Sequence, residues 1–175
     1  MLNYTIILIA IMLQSVTIFD FSSETNSKDW RIVNDGVMGG RSQGAITVNK
    51  EGHAEFEGTI SLENYGGFSM VQYSFPALDT KPQNQFTLRI KGDGKRYQFR
   101  VRTNQSDRHA YIAYFNTNGQ WQTIEIPFES MYPVFRGQKL NYPNFPGNQM
   151  EEIGFLIGNK KTETFKLVID KITVE

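Results

Sequence analysis

The sequence predicts an all-β protein with a jelly-roll β-sandwich fold, and two observations support this prediction. Apolar and polar residues alternate with period two along most of the chain after Phe19, which is typical of strands with one buried face. Turn-forming Gly, Asn and Asp residues interrupt these stretches, and no stretch repeats apolar residues at helical spacing. About ten short strands with turn signals at intervals of about 8–12 residues indicate a sandwich or a barrel.

The beginning of the chain differs in composition from the rest. Residues 1–19 contain no Asp, Glu, Lys or Arg, and residues 6–13 form a continuous apolar run. This run is shorter than the roughly 20 residues that span a bilayer, but its length suits a secretory signal peptide. An uncleaved anchor and a buried strand are the alternatives. We therefore predict a signal peptide or hydrophobic segment over 1–17, one domain over 18–175, and an exported protein that is periplasmic or membrane-associated.

Four later stretches show the alternation most clearly. The residues expected to face the core are Ala54, Phe56 and Ile60; Phe86, Leu88 and Ile90; Tyr97, Phe99 and Val101; and Phe165, Leu167 and Ile169. Beyond Asp170 the apolar positions change parity, to Ile172 and Val174, which predicts a β-bulge. Gly92-Asp93-Gly94-Lys95 lies between two alternating strands and predicts a hairpin turn.

One proline-rich segment interrupts the regular spacing. Four of the six prolines lie between Pro127 and Pro146, together with five aromatic residues. Proline cannot donate a hydrogen bond to a strand ladder. We therefore predict a long ordered loop that its aromatic residues hold against the sandwich.

Composition excludes several function classes. Eighteen basic residues balance eighteen acidic residues, so the net positive charge expected of a nucleic-acid-binding surface is missing. The absence of cysteine rules out disulfides, thiol catalysis and cysteine metal sites, and only two histidines are present. No Asp-rich loop of the kind that binds Ca²⁺ is visible. We predict no metal and no cofactor.

The segment from Trp30 to Ser42 is the most unusual part of the sequence. Asn34, Asp35 and Ser42 could form a polar binding pocket or a cation site there, or the segment could be a structured turn between strands. Glycine pairs follow at Gly39-Gly40 and Gly66-Gly67. These four glycines are predicted to be structural turn residues, and the two pairs could meet at one end of a sandwich.

Three further residues are candidates for ligand or partner binding. Arg100 and Arg102 lie on the polar side of a predicted strand, beside Gln98. With Trp121 they could form an aromatic and polar platform for sugar rings, and the alternative is a solvated surface with one packed tryptophan. Arg136, in the proline-rich segment, could pair with a carboxylate, stack on an aromatic ring or pin that segment to the sandwich.

The titratable residues suggest no catalytic site. Asp107 and His109 lie too close in sequence to form a triad with Ser106, since triads assemble from separate parts of a fold. Glu55 and Glu57 share one strand face, whereas glycosidase carboxylates face each other across a cleft. We predict that the protein is not an enzyme.

An ordered set of motifs resembles the family of complex I intermediate-associated protein 30, the CIA30 domain. The matching pieces are Phe19-Asp20-Phe21, residues 30–40 with Ser42, Phe56-Glu57-Gly58, Asn64 with Gly66-Gly67-Phe68, residues 92–97, Trp121, Pro127-Phe128, Pro133 with Phe135-Arg136-Gly137, Ile153-Gly154-Phe155 and residues 165–172. The resemblance implies a galactose-binding-domain-like sandwich, similar to some carbohydrate-binding modules.

The resemblance also implies a role without catalysis. The leading hypothesis is a binding module, acting as a chaperone-like assembly factor for NADH:ubiquinone oxidoreductase (complex I) or another membrane complex. The alternative is a carbohydrate-binding module. The expected partner is therefore an assembly intermediate of a membrane complex or a glycan, and the protein is expected to be a monomer.

Overall fold

The structure, a computed structural model, describes residues 15–22 and 24–175. These residues form thirteen strands, joined by loops and single turns of 3-10 helix. The strands are β1 Val16–Asp20, β2 Trp30–Asn34, β3 Gln43–Val48, β4 Ala54–Ile60, β5 Ser69–Asp79, β6 Gln85–Gly92, β7 Arg96–Arg102, β8 Ala110–Asn116, β9 Trp121–Pro127, β10 Tyr132–Phe135, β11 Gln138–Lys139, β12 Gln149–Ile157 and β13 Glu163–Val174. No helix in this part of the chain is long and apolar enough to cross a membrane.

The strands form two antiparallel sheets that face each other. One sheet has six strands in the order β3-β4-β13-β6-β9, with β1 also paired to β13. The other has seven strands in the order β11-β10-β8-β7-β12-β5-β2. The predicted all-β, jelly-roll-type sandwich is therefore confirmed.

Strand β13 is the centre of the six-stranded sheet. It pairs with β4 and β1 on one side and β6 on the other, and its register with β6 shifts between Ile169 and Lys171. This shift is the bulge that the change of parity predicts. Val16 and Thr17 pair with Val174 and Thr173, so paired strand structure begins two residues before the predicted domain start. The apolar run 6–13 lies outside the described residues.

The core between the sheets is built from the predicted inward-facing residues. All twelve residues named above as core-facing are buried, and they belong to one cluster with residues of the opposite sheet. Aromatic rings join the two layers, since Phe86 of one sheet lies 4.9 Å from Phe99 of the other. Without cysteine, the fold relies on such packing, and aromatic pairs contribute about 0.5–1.5 kcal/mol beyond the area they bury.

The predicted hairpin at Gly92-Asp93-Gly94-Lys95 is wrong. Strands β6 and β7 belong to different sheets, so this segment carries the chain across the sandwich. Asp93 holds it in place by accepting hydrogen bonds from the Tyr97 hydroxyl (2.9 Å), the Lys166 backbone N–H (2.9 Å) and the Lys95 ammonium (2.6 Å). Turn residues between alternating strands do not distinguish a hairpin from a crossover, because both need a tight reversal.

The proline-rich segment is more regular than predicted. It contains β10 and β11, a short hairpin at the edge of the seven-stranded sheet. Arg136 and Gly137 form its two-residue turn, both with positive φ, as a type I′ hairpin requires. Proline is tolerated here because β10 and β11 close the sheet at its edge. The aromatic anchoring is confirmed, since Phe128 and Phe145 are buried and lie 4.7 and 6.0 Å from Phe86.

Candidate functional site

The outer face of the seven-stranded sheet carries a connected layer of polar side chains, which we call the polar face. Its members alternate along their strands with residues that enter the core, and strand pairing aligns them in rows across the sheet. They are Arg31 of β2, Gln72 and Ser74 of β5, Glu152 of β12, Arg96, Gln98, Arg100 and Arg102 of β7, Tyr114 of β8, Tyr132 of β10 and Lys139 of β11.

Glu152 is the centre of one half of the polar face. The residue is 5% exposed, and its carboxylate accepts hydrogen bonds from Gln72 (2.7 Å) and Ser74 (3.1 Å) and forms an ion pair with Arg102 (3.0 Å). The Gln72 carbonyl in turn accepts a 2.6 Å hydrogen bond from Arg31. These contacts fix the orientation of five side chains from four strands.

Gln98 links the other half of the polar face. Its amide nitrogen donates to the Tyr114 hydroxyl (2.9 Å), and its carbonyl accepts from Arg100 (2.7 Å). Arg96 lies over the Tyr114 ring at 4.4 Å, and Lys139 lies over the Tyr132 ring at 4.9 Å. The result is a run of planar groups, amide, guanidinium and phenol, held by one another.

Electrostatics mark Arg100 as the unusual member. Burial of its guanidinium, helped by the like charge of Arg102, lowers its pKa to about 10. The group is still charged at neutral pH. It is therefore a cation held in a partly desolvated place, where an opposite charge would interact more strongly than in water.

Short apolar side chains complete the surface beneath the polar groups. Met70, Ala110, Ile112 and Val134 are buried, yet they lie outside the main core cluster. Ile112 is the cross-strand neighbour of both Arg100 and Tyr132. The long polar side chains therefore rest on an apolar floor, which keeps them extended along the sheet.

Asp35, predicted as a binding residue, lies at a junction between loops at one end of the sandwich. Its carboxylate accepts backbone N–H hydrogen bonds from Ser42 (3.1 Å), Gly67 (2.6 Å) and Phe68 (3.2 Å). Burial of the carboxylate acts to raise its pKa, but hydrogen bonds from those three residues outweigh it, and the pKa lies below its ordinary value. The polar groups of Asp35 are thus occupied within the protein.

Close approach to this carboxylate explains the glycine pairs. A Cβ atom on Gly40 would lie 2.3 Å from Asp35 Oδ1, and one on Gly66 would lie 2.7 Å from Oδ2. Gly39 and Gly67 have φ angles of 85° and 141°, which side chains disfavour. The expectation that the two pairs meet at one end of the sandwich is confirmed.

The neighbours of Asp35 are also engaged internally. Ser42 Oγ donates to the Ser61 carbonyl (3.2 Å) and accepts from the Ser61 N–H (3.1 Å). Asn34 accepts a 2.7 Å hydrogen bond from Ser69. The segment therefore matches the alternative of a structured turn between strands. Ligand binding by Asn34, Asp35 and Ser42 stays a prediction, and their internal hydrogen bonds do not support it.

Trp121 does not join the polar face, so the predicted platform of Arg100, Arg102 and Trp121 is wrong. Trp121 pairs with Lys91 at the edge of the six-stranded sheet, on the opposite outer face of the sandwich. There it contacts Arg89 (5.2 Å) and His53 (4.9 Å), and it lines a shallow groove of about 340 Å³ with Glu55, Lys166 and others. The alternation of apolar and polar residues carries no information on the sheet to which the strand of Trp121 belongs.

Arg136 lies in the exposed turn between β10 and β11. Its guanidinium lies over the ring of the adjacent Phe135 at 5.3 Å, and Arg108 contacts the same ring at 5.5 Å. Of the three predicted roles, stacking on an aromatic ring is the one that the structure shows. Among the residues that the structure describes, no group of three His, Cys, Asp or Glu side chains could hold a metal ion.

The polar face thus contains two of the predicted site residues, Arg100 and Arg102, and several that sequence reasoning missed. Tyr111 and Tyr114 have opposite parity on β8, so only one of them can lie beside the arginines. Tyr114 does so, whereas Tyr111 faces Phe145 of the core at 5.3 Å. Glu152 was missed, although an acidic residue inside an otherwise apolar strand is the signal that could have revealed it.

The fold is similar to that of known carbohydrate-binding modules. A family 11 carbohydrate-binding module from Clostridium thermocellum, in complex with a β-1,3-1,4-mixed-linked tetrasaccharide, has a TM-score of 0.64 at 21% identity, covering 91% of this chain and 94% of that chain. The same type of module from the cellulase Lic26A-Cel5E of that organism gives 0.65 at 20% identity, covering 92% and 94%. The agarase AgWH50C gives 0.62 at 13% identity over 92% of this chain and 24% of that chain.

At these identities the structural likeness establishes the fold alone. A search of curated proteins found no match. A family model is more specific, because it matches residues 19–169, which include the Asp35 junction, the crossover at Asp93 and the strands of the polar face. The chain therefore belongs to the family of complex I intermediate-associated protein 30 (CIA30).

Proposed function

We propose that this protein is a non-enzymatic binding module and that its polar face binds a glycan chain. The observation that carries the proposal is the set of oriented amide, guanidinium, carboxylate and phenol groups on one open sheet face. Sugar hydroxyls both donate and accept hydrogen bonds, so a surface offering both kinds of group suits them. The carbohydrate-binding modules of similar fold support the same reading.

Preorganisation favours binding at this face. Seven of its side chains are held by hydrogen bonds to one another, and an immobilised side chain otherwise costs about 0.5–1.5 kcal/mol on binding. Tyr114 is 42% exposed and lies at the end of the Gln98 chain of contacts. Its ring edge and hydroxyl are therefore available at the boundary between the fixed polar layer and solvent.

Affinity electrophoresis through a panel of soluble polysaccharides, followed by calorimetry, tests this proposal. We expect at least one polysaccharide to retard the protein and Tyr114→Ala to weaken its binding about tenfold, since loss of an aromatic contact costs roughly 1–2 kcal/mol. Trp121→Leu is the matched control, because it removes an aromatic side chain from the other outer face. If Trp121→Leu lost binding and Tyr114→Ala kept it, the result would contradict the proposal and indicate that the glycan binds in the groove beside Trp121.

A second function is favoured by the family match. A CIA30 domain could serve as a chaperone-like assembly factor for complex I or another membrane complex, binding an assembly intermediate. Deleting the gene and resolving membrane complexes by native electrophoresis tests this role. Incomplete complex I should accumulate in the deletion strain. If both the wild-type chain and Tyr114→Ala restore the complete complex, the protein acts in assembly independently of the polar face.

We also propose that residues 1–17 direct export. Fusing them to alkaline phosphatase, which is active only after export, gives the test: activity is expected with the natural segment, and replacing Leu8 and Ile9 by Asp should abolish it. Activity unchanged by those charges would contradict the proposal.

A further inference from the structure

We infer that the ligand of the polar face is an acidic glycan whose uronate carboxylates pair with Arg100. This inference rests on the proposed glycan-binding function and specifies its substrate class. It follows from how charge is distributed. The chain as a whole has a formal net charge of zero, yet the polar face has five cations and only one anion, Glu152. The cations are Arg31, Arg96, Arg100, Arg102 and Lys139.

Four of these cations already have a partner. Arg102 pairs with Glu152, Arg31 donates to Gln72, and Arg96 and Lys139 lie over tyrosine rings. Arg100 differs. Among the described residues it forms no ion pair, and its guanidinium donates one hydrogen bond, to the neutral carbonyl of Gln98. Most of its five N–H donors are therefore open to a ligand.

A second observation points to the same place. The Nε atom of Arg102 is buried and has no hydrogen-bond partner. Buried donors are rarely left unsatisfied, since each costs about 1–3 kcal/mol. Arg100 and Arg102 therefore lie on the same strand and the same face, and Glu152 is the single acidic residue among the members of the polar face.

The residue opposite Arg100 on β12 has no side chain that could pair with the guanidinium. It is Gly154, and the next residue in that row is Gln72 of β5. A Cβ on Gly154 would lie 2.6 Å from the Val71 carbonyl oxygen and 3.4 Å from Cγ of Gln72, so Gln72 covers this position. A ligand therefore has to reach Arg100 from the open side of the sheet.

A carboxylate is the group that fits this place best. The guanidinium of arginine is planar and presents parallel N–H donors that match both oxygens of a carboxylate. The partial burial of Arg100 strengthens such a pair relative to one in bulk water. A uronic acid carries its carboxylate at the edge of the ring and leaves its hydroxyls for the exposed Tyr114. A neutral sugar would leave the guanidinium without a counter-charge.

Calorimetry with matched polymers tests the inference. Polygalacturonate and alginate are compared with carboxyl-reduced forms of the same polymers, in which each carboxylate has become an alcohol. We expect at least one of the two acidic polymers to bind at least tenfold more tightly than its reduced form and to weaken as salt increases from 50 to 200 mM, on the order of a few-fold. Arg100→Gln should remove the preference, and Arg100→Lys should retain part of it.

Arg89→Gln is the matched control, because it removes the same charge from the other outer face, and it should leave the preference unchanged. Thermal melting of each variant separates loss of fold from loss of binding. Equal affinity for acidic and reduced polymers, or tight binding of neutral polymers alone, would overturn the inference and leave the proposed function standing. If no polysaccharide of any charge binds, the proposed function itself fails.

Discussion

Replacing Asp35 by Asn should destabilise the protein more than any surface substitution, because three backbone N–H groups converge on its carboxylate. An asparagine side chain has one carbonyl oxygen, so it can accept from Gly67 and Phe68 or from Ser42, but its NH₂ group must face the remaining donor. A hydrogen bond to a charged group contributes about 1.5–3 kcal/mol, and an unsatisfied buried donor costs about 1–3 kcal/mol. We expect a loss of about 2–4 kcal/mol at pH 7.

The pH dependence provides an independent check on this reasoning. Because the pKa of Asp35 is lower in the folded protein than in the unfolded chain, its contribution to stability is full above the unfolded pKa, from about pH 5 upward. The contribution is lost as the pH falls through the folded pKa. The difference in unfolding free energy between the wild type and Asp35→Asn should therefore be largest near neutrality and should shrink toward pH 3.

Urea unfolding, followed by tryptophan fluorescence at several pH values, measures both quantities. Glu63→Gln is the control, since Glu63 pairs with Arg41 in an ion pair with side chains 62% and 67% exposed, and such pairs contribute little. A loss below about 0.5 kcal/mol for Asp35→Asn at pH 7, where surface substitutions usually fall, would refute the account of the junction. So would a difference that does not change between pH 7 and pH 3.

Three other substitutions, one of them with a matched glycine control, test separate parts of the fold by urea unfolding. Glu152→Gln should lower the free energy of unfolding by about 3–5 kcal/mol, because it leaves the Arg102 cation without its buried partner. An unchanged urea midpoint would contradict this account of the ion pair. Gly154→Ala should cost about 1–3 kcal/mol by overpacking against β5, whereas Gly36→Ala, with no atom within 4 Å of its Cβ, should be nearly neutral. Tyr97 is fully buried, and Tyr97→Phe removes the hydrogen bond from its hydroxyl to Asp93. This variant should lose about 1–2 kcal/mol of unfolding free energy, and a more stable variant would show that this hydrogen bond does not hold the crossover in place.

The sequence predicts single strands well because the two faces of a strand meet different environments. The inward parity of Phe86, Tyr97 and Phe165 follows from alternation alone, and so does the bulge after Asp170. Alternation carries no information on which strands pair. For this reason the sequence wrongly predicts that Trp121 joins Arg100, although β9 and β7 lie in different sheets. It also wrongly predicts a hairpin at Asp93.

The candidate site was predictable only in part, for the same reason. Arg100 and Arg102 stand out on one strand, but their surroundings come from residues far away in sequence. Gln72 and Glu152, for example, are separated by 80 positions and joined by one hydrogen bond. Asp35 shows the opposite problem, since its glycine-rich neighbourhood suggested a ligand whereas the carboxylate serves the backbone of its own loops.

The position of β13 has a consequence for synthesis on the ribosome. This strand is the last of the thirteen along the described chain, yet it lies at the centre of its sheet and pairs with β1, β4 and β6. While it is still in the exit tunnel, β4 and β6 have no partner between them and β1 has none at all. The six-stranded sheet therefore cannot form in full until residue 174 has left the ribosome, and until then the nascent chain exposes the apolar face of that sheet.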